Sequence, residues 1–295
     1  MISHQFTGTG VAIVTPFNSN GSIDFNSLDN LVEFQISNGI NYLVVMGTTG
    51  EAATLDKDEK KAIIDQVIKI NNNRVPIVVG IGGNNTQEVV NSIKNFHAYE
   101  DIAGILSVAP YYNKPSQEGL YQHYKCISEA SPVPVILYNV PGRTSVNISA
   151  ETTLRLANDF ENIVAVKEAS GNMEQIMAII KNKPSDFAVI SGDDALTFPM
   201  ICIGADGVIS VVANAYPKEF SEMVNAALNS EIENAKLLHY KLFEIIQNLF
   251  TEGNPAGIKA ILNINKLVQN YFRLPMTGVS DQHFSKLEKL NSKIK

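Results

Sequence analysis

Short runs of apolar, largely β-branched residues recur along this chain, separated by helix-length stretches with apolar positions at helical spacing. The runs occupy 11–15, 42–46, 76–80, 104–108, 133–138, 163–167, 187–190 and 207–212, and begin 20 to 34 residues apart. Runs apolar on both sides are expected of strands in a parallel sheet covered by helices. Strands alternating with helices imply right-handed βαβ units. Eight such units close an α/β (β/α)8 TIM barrel. An open, doubly wound sheet is the other arrangement this alternation permits. That fold usually carries a glycine-rich phosphate fingerprint after its first strand. Here Gly8-Thr9-Gly10 precedes the first run, and no third glycine follows at the required place.

The intervening segments carry readable helix signals. Asp56 followed by Glu59 predicts a capping box at the head of an amphipathic helix, with Lys57, Lys60 and Lys61 on its solvated face. Thr86 is the expected cap of the next helix. About 80 residues follow the eighth run, more than one closing helix requires. Pro217 suits the first turn of a helix, and 235–250 and 255–269 predict two more. The expected organisation is a catalytic barrel over 1–216 with an all-helical extension over 217–295.

Composition narrows the function. Of the 295 residues, 45% are apolar, enough for one large core, and the net charge of −7 includes no basic stripe. That argues against nucleic acid or an anionic membrane surface as partner. No stretch approaches the roughly 18 apolar residues of a membrane helix, and the start lacks the pattern of a signal peptide. A cytoplasmic protein is expected. Cys126 and Cys202 form neither a disulfide framework nor a metal site, and Cys202, inside Met200-Ile201-Cys202-Ile203, reads as a small core residue.

In a barrel of this kind the active site lies where the strands end. The sixth run ends in Lys167. A neutral amine is the nucleophile that forms a Schiff base with a carbonyl, and desolvation favours the neutral form. The plain alternative is a strand-end lysine that reaches water or pairs with Glu168. The second run leads into Gly47-Thr48-Thr49-Gly50-Glu51, where hydroxyls and backbone N–H groups could cradle a carboxylate, or simply form an ordinary βα turn. The fourth leads into Pro110-Tyr111-Tyr112-Asn113 and the fifth into Tyr138-Asn139-Val140-Pro141-Gly142-Arg143-Thr144. The seventh leads into Ser191-Gly192-Asp193-Asp194, whose paired carboxylates suit a helix cap better than a cation. Histidines are scarce and scattered, so neither a metal centre nor a histidine triad is expected. An amine among phenols suits carbinolamine and enamine chemistry, with tyrosine as proton carrier. Arg143 can bind both oxygens of a substrate carboxylate.

Gly-Thr-Thr-Gly-Glu at 47–51, Tyr-Tyr-Asn-Lys-Pro at 111–115, Tyr-Asn-Val-Pro-Gly-Arg-Thr at 138–144, Val-Lys-Glu-Ala-Ser-Gly at 166–171 and Gly-Val-Ile-Ser at 207–210 together resemble the dihydrodipicolinate synthase family over essentially the whole length. The resemblance implies a class I aldolase-type condensation of pyruvate with L-aspartate 4-semialdehyde, with no cofactor beyond the imine on Lys167. It implies that Tyr138 gives and takes protons, with Thr48 and Tyr112 completing a relay, Tyr112 reaching in from a neighbouring subunit. It assigns Thr49 and the backbone at Ile209 to pyruvate, Gly192 to substrate contact and Arg143 to the semialdehyde carboxylate. A homotetramer built from tight dimers is implied. One departure is Gly142, where many members carry serine. The nearest rival is an N-acetylneuraminate lyase-like pyruvate aldolase, against which Thr48-Thr49 and Arg143 both argue. A non-catalytic regulator on the same barrel is a rival of another kind, against which Lys167 and Tyr138 argue.

In lysine-inhibited relatives the inhibitor site would match Ala52, Ala53, Gly82, Asn84, Glu88 and Tyr111. Glu88 could pair with its ammonium and Tyr111 could donate to its carboxylate. Lys57 and Lys60 stand nearby, and like charges about 4 Å apart repel by roughly 4 kcal/mol at an effective dielectric near 20. Weak or absent feedback by lysine is therefore expected.

Overall fold

Parallel pairing runs in chain order through β1 (Gly8–Ala12), β2 (Tyr42–Val45), β3 (Ile77–Gly80), β4 (Gly104–Val108), β5 (Val135–Asn139), β6 (Ile163–Glu168), β7 (Ala188–Ser191) and β8 (Gly207–Ser210). β8 then pairs with β1, closing the barrel. The computed structural model describes residues 5–294.

Alternation along each strand sorts the side chains. Tyr42, Val44, Val78, Leu106, Ile136 and Ile190 pack together inside the barrel. Leu43, Val79, Ile105, Leu137, Val166 and Val189 belong to the larger core between strands and helices. The first strand lies three residues earlier than the apolar run suggests and includes Gly8-Thr9-Gly10. The reason is steric. The Tyr42 ring lies directly over Gly10, where any Cβ would collide with it, and its hydroxyl donates to the Val208 carbonyl across the barrel floor at 3.1 Å.

The helices outside the barrel are α1 (Phe25–Ser37), α2 (Lys57–Asn71), α3 (Thr86–Lys94), α4 (Gln117–Ala130), the single turn α5 (Pro141–Thr144), α6 (Ala150–Asp159), α7 (Met173–Asn182) and α8 (Thr197–Cys202). The capping box expected at α2 is present, Asp56 accepting from the Glu59 N–H and Glu59 from the Asp56 N–H. At α3 the cap is Asn85, not Thr86. Asn85 keeps an extended backbone and its side chain accepts from the Gln87 N–H. Thr86 is the first helical residue, and its hydroxyl bonds His123 Nδ1 at 2.8 Å. Cys202 is exposed rather than buried. Helical rotation turns Met200 and Ile201 inward and leaves Cys202 outside.

The remainder of the chain forms α9 (Pro217–Leu228), α10 (Ile232–Leu249), α11 (Ala256–Ile264) and α12 (Asp281–Ile294). Pro217 does open α9, which packs against β1 and β8. The segment 255–269 is helical only to Ile264. α12 is a helix that apolar spacing does not announce, because two of its inward positions are polar. His283 Nε2 bonds the Asn248 carbonyl at 2.8 Å, and Asn291 accepts from the Tyr216 hydroxyl at 2.5 Å. No helix among the described residues is long and apolar enough to cross a membrane.

Candidate active site

β6 gains one residue against β5 at Val164. Val135 pairs with Ile163, but Ile136 pairs with Ala165, and from there Tyr138 faces Lys167. A one-residue shift exchanges the two faces of a strand. The bulge thus sets Lys167 on the inward face, level with Tyr138, at the carboxyl end of the barrel. Lys167 is 6% exposed and Tyr138 7%, and the Lys167 Nζ stands 4.3 Å from the centroid of the Tyr138 ring. The phenol ring thus forms one wall of the slot in which the lysine nitrogen stands.

The outward neighbours of this pair hold the strand ends together. Asn139 and Glu168 point away from the lumen and are both fully buried. Glu168 accepts from the Asn139 amide at 3.1 and 3.2 Å, from the Ser170 N–H at 2.8 Å and from Gln175 at 3.1 Å. Its charge is thereby met by hydrogen bonds, so Glu168 is not the partner of Lys167. A buried, unpaired amine on the lumen side is what the nucleophile reading requires.

Gly192 follows β7 beside this pair. A Cβ there would lie 2.7 Å from the Ala169 Cβ and 3.1 Å from the Lys167 Cε. Only glycine leaves the lysine stem its channel. Asp193 and Asp194 do not cap α8. Asp193 accepts from the Ala195 N–H at 2.9 Å, closing its own turn. Asp194 is buried and accepts from the Val211 and Val212 N–H groups at 3.1 and 2.9 Å. It ties the end of β7 to the loop after β8; Ile209, within β8, is buried. Burial pushes the Asp194 carboxyl up to about 6, against the pull of the Ser210 hydroxyl and these N–H groups. Among the described residues no group of three or more His, Cys, Asp or Glu is placed to hold a metal ion.

The Thr48–Gly50 turn follows β2. Thr48 is exposed and Thr49 buried. The Thr49 hydroxyl accepts from the Asn254 amide at 3.0 Å. Gly50 is fixed from below, its carbonyl accepting from the Thr15 hydroxyl at 2.6 Å. Glu51 adopts a left-handed backbone, φ 53°, and its carboxylate meets Lys259 of α11 at 2.5 Å with both side chains almost wholly excluded from water. Burial draws the Lys259 pKa down, and Glu51 draws it back up. Removing one partner of such a pair leaves a bare buried charge and costs about 3–5 kcal/mol. Glu51 ends a motif, but its pairing, and Asn254 and Lys259 altogether, escape a motif-based reading. A lone lysine inside the apolar Ala-Gly-Ile-Lys-Ala-Ile-Leu is the signal that would have found the last.

Arg143 sits on α5 and is exposed. Its turn is rigid. Thr144 donates to the Val146 carbonyl at 2.9 Å, and the Ser145 N–H bonds the Pro141 carbonyl. A Cβ on Gly142 would meet nothing within 4 Å, so this position shapes the turn no further. Tyr112 is not brought to Lys167 within the chain. It is 89% exposed, and positive φ angles at Tyr112 and Lys114 hold it outward. Non-glycine residues in that region carry strain and cluster where function needs them. Asn84 and Tyr111 do come together, the Asn84 amide donating to the Tyr111 carbonyl at 3.1 Å. Glu88, on α3 just after Asn84, is exposed, and so is Ala53 in the segment between β2 and α2.

An amine seated on a phenol at the open end of a closed (β/α)8 barrel is the equipment of a carbonyl-condensing barrel protein. The chain belongs to the dihydrodipicolinate synthetase family, whose model matches residues 5–294. It is 52% identical over 282 residues to a 4-hydroxy-tetrahydrodipicolinate synthase of Azobacteroides pseudotrichonymphae, covering 96% of this chain and 95% of the relative. It is 51% identical to the protein of that name from Phocaeicola vulgatus, over 100% and 99% of the two chains. The crystal structure of dihydrodipicolinate synthase from Thermotoga maritima superposes with a TM-score of 0.95 at 41% identity, covering 99% of each chain.

Proposed function

We propose that this protein condenses pyruvate with L-aspartate 4-semialdehyde to 4-hydroxy-tetrahydrodipicolinate, a lyase-type step of the diaminopimelate route to lysine. The observation that carries this reading is the buried Lys167 Nζ set 4.3 Å over the Tyr138 ring at the open end of the barrel. The amine attacks C2 of pyruvate, and loss of water from the carbinolamine gives an imine. Loss of a methyl proton gives the enamine, whose carbon attacks the aldehyde; the semialdehyde's own amine then attacks the imine carbon, expelling the Lys167 amine as the ring closes. Each step moves a proton at an oxygen or carbon beside Lys167, and the Tyr138 phenol, whose ring lies against the Lys167 nitrogen, is assigned to carry it. Thr48 and a neighbouring subunit's Tyr112 would pass protons on to water, which needs at least a dimer; the assembly proposed is a homotetramer of tight dimers. Thr49 and the Ile209 backbone would hold the pyruvate carboxylate, with Gly192 leaving room for it. The chemistry calls on no group beyond these side chains and the two substrates, and the setting proposed is the cytoplasm. A coupled assay that offers aspartate semialdehyde or N-acetylmannosamine as the partner of pyruvate tests the reading. Turnover with N-acetylmannosamine alone would overturn it.

Arg143 is assigned to the semialdehyde carboxylate. A charge-assisted contact of that kind contributes roughly 1.5–3 kcal/mol. Arg143→Ala is therefore expected to lower kcat/KM for the semialdehyde by about 10- to 100-fold and to leave imine formation nearly untouched. Equal losses for both substrates would make Arg143 structural.

The exposed Glu88, with Asn84 and Tyr111, would receive a lysine ammonium and carboxylate, with Ala52, Ala53 and Gly82 framing the site. Lys57 lies exposed on the first turn of α2 and Lys60 half-buried behind it. Their repulsion keeps feedback weak or absent. Titration of L-lysine into the assay decides this, and strong inhibition at sub-millimolar lysine would show that both ammonium groups point away from the site.

A further inference from the structure

The C-terminal segment grips the Thr48–Thr49 turn and the residues after it, up to the start of α2, at three points. Asn254 bonds Thr49. Lys259 pairs with Glu51. Arg273 donates to the Thr54 carbonyl at 2.9 Å and forks onto both oxygens of Glu59. The second of these is chemically the odd one. An ion pair buried in an apolar setting contributes little or nothing to stability compared with apolar residues of the same volume. It does fix position, because a charge-assisted bond is short and directional. Lys259 Nζ has one place to stand. It donates to Glu51 and to the Tyr271 carbonyl at 3.0 Å, between the rings of Phe17 and Phe272 at 4.4 and 4.8 Å. The Glu51 carboxylate is pinned there, and Glu51 is held in the left-handed conformation that ends the turn carrying Thr49.

We propose that the Glu51–Lys259 pair and Asn254 are positioning residues for the pyruvate carboxylate, acting through Thr49. This rests on the assignment of Thr49 given above. Because the Thr49 oxygen already accepts from Asn254, its own proton is left to be donated elsewhere. A hydroxyl so oriented is a preformed donor for an anion. The pair fixes the backbone beneath that hydroxyl, so α11 belongs functionally to the pyruvate site although none of its side chains reaches substrate.

The test is the double variant Glu51→Gln with Lys259→Met, which removes both charges while keeping shape, with its folding followed by thermal unfolding. It is expected to lower kcat/KM for pyruvate about tenfold or more while kcat/KM for the semialdehyde stays within about threefold. In a Thr49→Ala background the same pair of changes is expected to alter kcat/KM for pyruvate less than about twofold, since the lever then has nothing to move. Asn254→Ala, which removes only the bond to Thr49, is expected to show the same bias toward pyruvate at about threefold or more, and decides the matter if the double variant does not fold. Unchanged pyruvate kinetics in a folded variant, equal losses for both substrates, or the full loss persisting without the Thr49 hydroxyl would each overturn the proposal. The underlying reading fails separately, by the absence of a pyruvate adduct on Lys167 of the unaltered protein.

Discussion

Treatment with pyruvate and borohydride is expected to leave a reduced adduct on Lys167 and on no other lysine, and Lys167→Met to lose that adduct together with turnover. Lys259 provides the internal control. It is more deeply buried than Lys167, yet it is bound to Glu51 and to a backbone carbonyl, so its nitrogen is occupied. Lys167 has a phenol face beneath it and a barrel mouth above it. Burial alone therefore does not make the nucleophile. Burial without a carboxylate partner, at the end of a barrel strand, is what sets Lys167 apart. Methionine matches the length of the lysine stem and fits the slot beside Gly192, so the barrel should fold and the loss should be chemical. Removing the residue that forms a covalent intermediate is expected to lower kcat by roughly 10⁴-fold or more. Peptide mapping of the reduced protein by mass spectrometry locates the adduct. An adduct on another residue, or a Lys167→Met enzyme that still turns over, would refute the assignment.

The strands themselves were legible because a barrel strand is apolar on both sides and reads as a short unbroken run, and chemistry-bearing residues stand out where such a run stops. Lys167, Tyr138 and Thr49 were singled out that way. What the chain order concealed was of two kinds. The first is phase. Nothing in Ile163-Val164-Ala165-Val166 announces the bulge that turns Lys167 toward the lumen, since every residue there suits either face. Cys202 was misplaced for the same reason, its apolar neighbours being equally consistent with an inward or an outward position. The second is partnership across the fold. Thr86 and Asn85 can both cap a helix, and His123, a helix away, draws the threonine off. Asp193 and Asp194 look like the start of α8, but Asp194 serves the loop after β8. Lys259 is some two hundred residues from Glu51, and only the packed C-terminal helices bring them together. The exposure of Tyr112 likewise has no signal in its own segment, where two tyrosines stand side by side.

Tyr138→Phe is the second large effect, and it separates proton transfer from shape. The ring lies under the Lys167 nitrogen, and phenylalanine keeps that ring, its packing in the barrel interior and its level opposite Lys167 on β5. Only the hydroxyl goes. If Tyr138 were a packing residue, turnover would stay near normal and stability would barely change. If it carries protons through carbinolamine breakdown and enamine formation, kcat is expected to fall by about 10²–10⁴-fold, the usual contribution of a general acid–base group. Pyruvate should still be trapped on Lys167 by borohydride on long incubation, because the amine and the carboxylate contacts remain. Tyr112→Phe should show a smaller loss, since that phenol passes protons on rather than delivering them at the reacting centre. Stopped-flow measurement of imine formation beside steady-state turnover distinguishes these cases. Near-normal turnover in Tyr138→Phe would refute the relay and return Tyr138 to the barrel core.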